Sequence, residues 1–188
     1  IVNLRLYFMV GLPTETDEDI EAIIRLVKGF QHRARHAAGG RKGFRRLTLS
    51  INQFIPKPAT PFQWHPLEDA AVVRRRLRRI ADGLKGEKAV SVTHDLPKWN
   101  YIQALLTLGD RRVGKLLMAV HRRGGNWAQA FREVNVNPDF YVYRRQEIDE
   151  ALPWDFIDHG VEKTALISEY RKALAAGEKG SEEKIPCP

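Results

Sequence analysis

The run Leu4-Arg5-Leu6-Tyr7-Phe8-Met9-Val10 passes directly into Gly11-Leu12-Pro13-Thr14-Glu15-Thr16-Asp17-Glu18-Asp19, and this join constrains the fold more than any other feature of the chain. The first half is a strand pattern, apolar enough for burial on both faces. The Gly-Leu-Pro corner stops it, and Thr16 or Asp17 is placed to cap a helix whose first turn is already acidic. The result is a βα unit with its loop at the strand's carboxyl end. In α/β barrels such loops build the active site, so candidate chemistry sits near the amino terminus.

The same alternation continues downstream. From Asp17 to about Arg35, residues Ile20, Ile23, Ile24, Val27 and Phe30 fall at helical spacing before Gly39-Gly40. Leu47 to Ile55 alternates as a second strand until Pro56-Lys57-Pro58-Ala59-Thr60-Pro61 rules out further sheet pairing. A second helix is expected from Pro66-Leu67-Glu68-Asp69 through Leu84, then a short strand from Lys88 to Thr93. This β-α-β-α-β order predicts an α/β fold with right-handed crossovers. Beyond Asp95 the pattern predicts helices near Asn100–Thr107, Arg111–His121, Asn126–Glu133, Pro138–Ile148 and Glu162–Ala175. The expected division is therefore residues 1–96, a helical region 97–176, and a mobile tail 177–188.

At 188 residues and 43% hydrophobic content, the chain has enough apolar material for a core. No stretch is long and apolar enough to span a bilayer. The single cysteine, Cys187, forms no internal disulfide and cannot hold a metal alone, which points to a reducing cytoplasm. A start at Ile1 inside a strand pattern predicts a piece of a longer protein. The net charge of +8 is concentrated in His32–His36, Arg41–Arg46, Arg74–Arg79 and Arg111-Arg112. Solvated helix faces account for such runs; nucleic-acid binding is the alternative, with Arg45, Arg46, Arg75, Arg76 and Arg79 as its candidate phosphate contacts.

Freestanding catalytic sets are absent: no phosphate loop, no Gly-x-Gly-x-x-Gly, no nucleophile elbow and no paired-cysteine site. His32 and His36 have metal-compatible spacing, but Arg33 and Arg35 oppose a cation there. His94, His121 and His159 lack partner acids in any catalytic pattern. Glycine and proline at the corner, Glu15 at a helix start, and Asn52 and Gln53 at a strand end each have purely structural explanations.

Taken together and in order, Phe8-Met9-Val10-Gly11-Leu12-Pro13-Thr14-Glu15-Thr16 and Asn52-Gln53-Phe54-Ile55-Pro56-Lys57-Pro58-Ala59-Thr60-Pro61-Phe62 resemble the fifth and sixth strands of radical S-adenosylmethionine (SAM) enzymes, in particular cobalamin-binding-domain radical SAM proteins and methylthiotransferases. Gly109-Asp110-Arg111-Arg112-Val113, Trp127 and Leu152-Pro153-Trp154-Asp155-Phe156-Ile157-Asp158-His159-Gly160-Val161 resemble the carboxyl-terminal half of an uncharacterised radical SAM family. The resemblance implies the last βα units of a partial (β/α) barrel followed by a helical accessory region. It implies that Met9, Gly11, Leu12, Pro13 and Glu15 border the SAM site, with Asn52, Gln53 and Phe54 facing cofactor or substrate.

The implied parent chemistry is reductive SAM cleavage to a 5'-deoxyadenosyl radical at a four-iron, four-sulfur cluster. That cluster needs three thiolates, which these residues lack, so the chain alone is expected to bind no cofactor and to be inactive. The implied partner is the missing amino-terminal half of the barrel in the same protein. An RNA substrate and self-association are further expectations, a structural partner domain that completes another chain's barrel is a further alternative function, and Cys187 would open a cysteine-rich tail. Trp154 and Asp155 read as an anchored helix start, with the indole buried and the carboxylate capping.

Overall fold

The computed structural model describes residues 3–39 and 45–180. Among these the chain is a mixed α/β protein with a three-stranded parallel sheet and seven helices. It divides into two compact units, Ile1–Phe54 with Glu68–Pro97, and Ile55–Leu67 with Lys98–Pro188. Residues 55–67, read from sequence as part of the strand-bearing portion, thus belong with the helices. Arg41, Lys42 and Cys187 lie outside the described residues.

In the first unit the order is β1 (Asn3–Val10), α1 (Asp17–Ala37), β2 (Arg46–Gln53), α2 (Ala70–Leu84) and β3 (Val90–His94). The strands lie side by side in chain order, all parallel. Their register sets Leu4 opposite Leu47, Phe8 opposite Ile51 and Leu49 opposite Val92. One face therefore gathers the apolar residues, because side chains alternate along a strand. Both helices pack on that face, α1 through Ile20, Ile24 and Val27 and α2 through Val73, Leu77, Ile80 and Leu84. Each such side chain contributes about 1.5–3 kcal/mol on burial, which makes this stripe the main source of cohesion. Gly83 permits close helix contact: a Cβ there would lie 2.6 Å from Ile24 Cδ1.

The opposite face carries Asn3, Arg5, Tyr7 and Met9 of β1, Arg46, Thr48, Ser50 and Asn52 of β2, and Ser91 and Thr93 of β3. Tyr7 is 69% and Met9 47% exposed. The expectation that the first strand is buried on both faces is therefore corrected: β1 is an edge strand packed on one side only.

Local signals explain where the helices begin. Thr16 Oγ1 accepts the Asp19 N–H while Asp19 Oδ2 accepts the Thr16 N–H, a reciprocal cap that resolves the choice between Thr16 and Asp17. The Asp69 carboxylate accepts from the Ala71 and Val72 amides, so α2 starts at Ala70 rather than at Pro66.

The second unit contains α3 (Pro97–Leu108), α4 (Val113–Arg122), α5 (Trp127–Glu133), α6 (Pro138–Val142) and α7 (Lys163–Gly180). Leu105, Leu116, Ala119, Ala130 and Val142 centre one apolar cluster, joined by Leu67. Trp64, Leu108, Leu152, Trp154, Leu166 and Tyr170 centre another. The helix expected over Pro138–Ile148 stops at Val142, because the next residues make other bonds: the Gln146 N–H donates to the Trp64 carbonyl and Arg144 forms a two-pronged pair with Glu150. Trp154 is buried and donates to Gln63 Oε1 at 2.6 Å. Asp155 caps no helix; its carboxylate accepts the Leu152 N–H and pairs with Lys163. α7 extends to Gly180, into the segment read as a tail. No helix among the described residues is long and apolar enough to cross a membrane.

Candidate functional site

The corner after β1 is a tight turn built by its own residues. The Glu15 N–H donates to the Leu12 carbonyl at 3.1 Å, closing a four-residue turn with Pro13 second and Thr14 third. Thr14 has φ +69°, the left-handed conformation that the third position of a proline-led type II turn requires. Gly11 has φ +78° and lies where a Cβ would come within 3.2 Å of Glu68 Cβ. Glycine is needed here for both its conformation and its small size.

A charged network fastens this corner to β2 and α2. Glu15 Oε2 accepts the Gly11 N–H at 2.8 Å and pairs with Arg76 Nη1 at 2.8 Å. The Arg76 guanidinium also donates to the Glu15 carbonyl at 2.7 Å and pairs with Glu68 at 3.2 Å. Gln53 Nε2 donates to the Glu68 carbonyl, drawing the end of β2 into the same network. The side chains of Glu15 and Arg76 are only 5% and 9% exposed. Burial pushes the Glu15 carboxyl above its ordinary range, and the Gly11 amide and Arg76 pull it back only in part.

Strand alternation separates the residues that the sequence grouped together. Met9 and Asn52 are partners in register, both exposed, on the bare face at the strands' carboxyl ends. Gln53 points the other way and is buried. Phe54 is half-buried, with its N–H donated to the Val10 carbonyl. Pro13 is buried and Leu12 half-buried. Glu15 is committed to the corner, so it borders the site as a support and not as a free carboxylate. Arg76 and Glu68 are the members of this network that the sequence reading did not assign to it.

Burial also corrects one nucleic-acid candidate, since Arg76 is enclosed between two carboxylates and cannot meet a phosphate. Arg79 pairs with Glu21. With Arg75 they line a groove of about 360 Å³ whose other charged walls are Asp17, Glu18 and Glu21. Arg45 and Arg46 are exposed at the other end of the sheet.

No three or more His, Cys, Asp or Glu side chains converge on a metal-sized site among the described residues. With one cysteine in the whole sequence, this chain's own residues do not fit a four-iron cluster. Met9 and Asn52, partners in register, place a polarisable thioether and an amide with donor and acceptor on the same exposed face.

No family model matches the chain, and no solved structure does. Among curated proteins the chain is 33% identical, over 117 residues, to the protein named Uncharacterized protein MJ0966 of Methanocaldococcus jannaschii. The match covers 62% of this chain and 23% of that relative, so the chain spans less than a quarter of the relative's length.

Proposed function

We propose that this chain supplies the last βα units of the partial barrel of a radical SAM iron-sulfur enzyme, followed by a helical accessory region. The observation that carries the proposal is the exposed Met9–Asn52 pair, on the bare polar face of a parallel sheet and beside a locked Gly-Leu-Pro corner. Strands added in chain order with both helices on one face are wound as in a barrel, whereas doubly wound sheets place helices on both faces. The uncovered polar face then corresponds to the barrel's inside, and the upstream barrel half is the partner that encloses it.

In this reading Met9, Leu12 and Asn52 face the cofactor, while Glu15 and Gln53 hold the backbone that presents them. The cluster sits on cysteines elsewhere in the same cytoplasmic protein, and the assembled cofactors supply reductive SAM cleavage. A match to a minor part of a longer relative agrees with such an arrangement. The test is to express the complete reading frame anaerobically, reconstitute it with iron and sulfide, and measure 5'-deoxyadenosine formed from SAM beside this 188-residue chain. Formation by the complete protein alone is expected. Absence of both cluster and product from the complete protein would overturn the proposal.

A further inference from the structure

We infer that the amino-terminal edge of the sheet is a phosphate-binding site, formed by Arg45 and Arg46 at the start of β2 and Lys88 just before β3. These three side chains, with Asn3 and Ser91, line a cavity of about 480 Å³ that no carboxylate enters among the described residues. Among the described residues none of the three makes an ion pair or side-chain hydrogen bond, and all three line the cavity. The nearest acid in sequence, Glu87, is paired with Arg35 at 3.3 Å.

The contrast with the other arginine-rich groove decides the assignment. There Arg75 and Arg79 share a groove of about 360 Å³ with Asp17, Glu18 and Glu21, and Arg79 pairs with Glu21. At the amino-terminal edge no acid among the described residues lines the cavity that the three cations share. Strands lie about 4.8 Å apart, so the starts of β2 and β3 bring long cationic side chains within reach of one anion. Guanidinium groups bind phosphate oxygens in pairs, and a lysine adds a mobile point charge. A carboxylate has one charge and two oxygens and leaves the third cation uncompensated; a phosphate monoester, with up to two charges and three terminal oxygens, engages all three, and along an RNA strand successive singly charged phosphodiesters share them. The site lies at the end of the sheet remote from the Gly11 corner and does not depend on the radical SAM reading.

The test uses protein from the complete reading frame and two probes, adenosine 5'-monophosphate and a short labelled single-stranded oligoribonucleotide, with inorganic phosphate as competitor. The expected result is that the Arg45→Ala/Arg46→Ala/Lys88→Ala variant binds at least about tenfold more weakly at low salt. Its slope of log affinity against log salt should fall by about one per removed contact. An Arg75→Ala/Arg79→Ala control should stay within about twofold, since those groups face their own acids. Saturable mononucleotide binding assigns the phosphate to a small molecule, and binding of the oligonucleotide alone assigns it to a strand. Equal losses in the two variants, or no binding of either probe at low salt, would overturn the site; loss of 5'-deoxyadenosine formation would not.

Discussion

The two ends of the three-stranded sheet use similar residues in opposite ways. At the carboxyl end Arg76 is enclosed by Glu15 and Glu68 and serves the backbone of the corner. At the amino end Arg45, Arg46 and Lys88 share a cavity with no acid in its walls among the described residues. A count of basic residues treats these arginines alike. What separates them is pairing: a buried, compensated cation fixes local structure, and an exposed, uncompensated one is available to a ligand.

The largest expected effect comes from breaking the carboxyl-end network. Arg76→Met leaves a buried Glu15 with only the Gly11 amide, and the loss in unfolding free energy should be about 3–5 kcal/mol. Arg45→Ala or Lys88→Ala should stay within about 0.5 kcal/mol in the same denaturant titration, as surface changes do. Similar costs at both ends would erase the contrast.

Next in size is the corner itself. Gly11→Ala meets both the positive φ and the 3.2 Å approach to Glu68 Cβ, and should cost about 1–3 kcal/mol. Thr14→Gly should instead stabilise by about 1 kcal/mol, because a β-branched residue at φ +69° is held against its preference. Thermal melts of the two variants should therefore shift in opposite directions.

Titration gives the smallest effect and extends the comparison to the second unit. Glu15 is raised above its usual 4.5 by burial, so it binds its proton more tightly when folded. Its contribution is complete below that value and is lost as pH rises through the folded one. The stability of the native chain relative to Glu15→Gln should therefore fall as pH rises above 4.5 and through the raised folded value. Asp110 and Glu150 are held below their ordinary values by hydrogen bonds from Arg112 and Arg144. At Asp155 burial acts upward, but Lys163 and the Leu152 amide more than reverse it. These three stabilise above the ordinary carboxyl values and lose that contribution as pH falls through their depressed ones. Hydrogen exchange across the acid range should show the second unit's amides around them loosening as pH drops.

Local chemistry was readable in the sequence wherever neighbours in the chain settle the outcome. The Thr16 cap, the turn at Pro13 and the alternation of strands and helices all depend on residues within a few positions of one another. Burial of Trp154 was legible too, but its partner Gln63 was not, because that bond joins residues far apart in the chain. The same limit explains the helix that ends at Val142: Gln146 finds the Trp64 carbonyl, a partner no local pattern reveals.

In the candidate site, the strand pattern places Met9 and Asn52 at one strand end each, but their pairing in register and shared face need the sheet. Gln53 does not share the exposed face of Asn52, because adjacent strand residues point to opposite faces. Arg76 did leave a signal. It occupies the apolar stripe of α2 formed by Val73, Leu77, Ile80 and Leu84, where an unpaired charge would be costly, so a partner acid was to be sought. Its distance in sequence from Glu15 hid which acid that was.

The most direct test of this division between the two ends is a phosphate titration of isotope-labelled protein, followed at its backbone amides. The account predicts saturating shifts at Arg45, Arg46 and Lys88, with Gly11, Glu15 and Arg76 unmoved. Saturating shifts at the Gly11–Glu15 corner or along Arg75 and Arg79, with the amino-terminal edge unmoved, would contradict it.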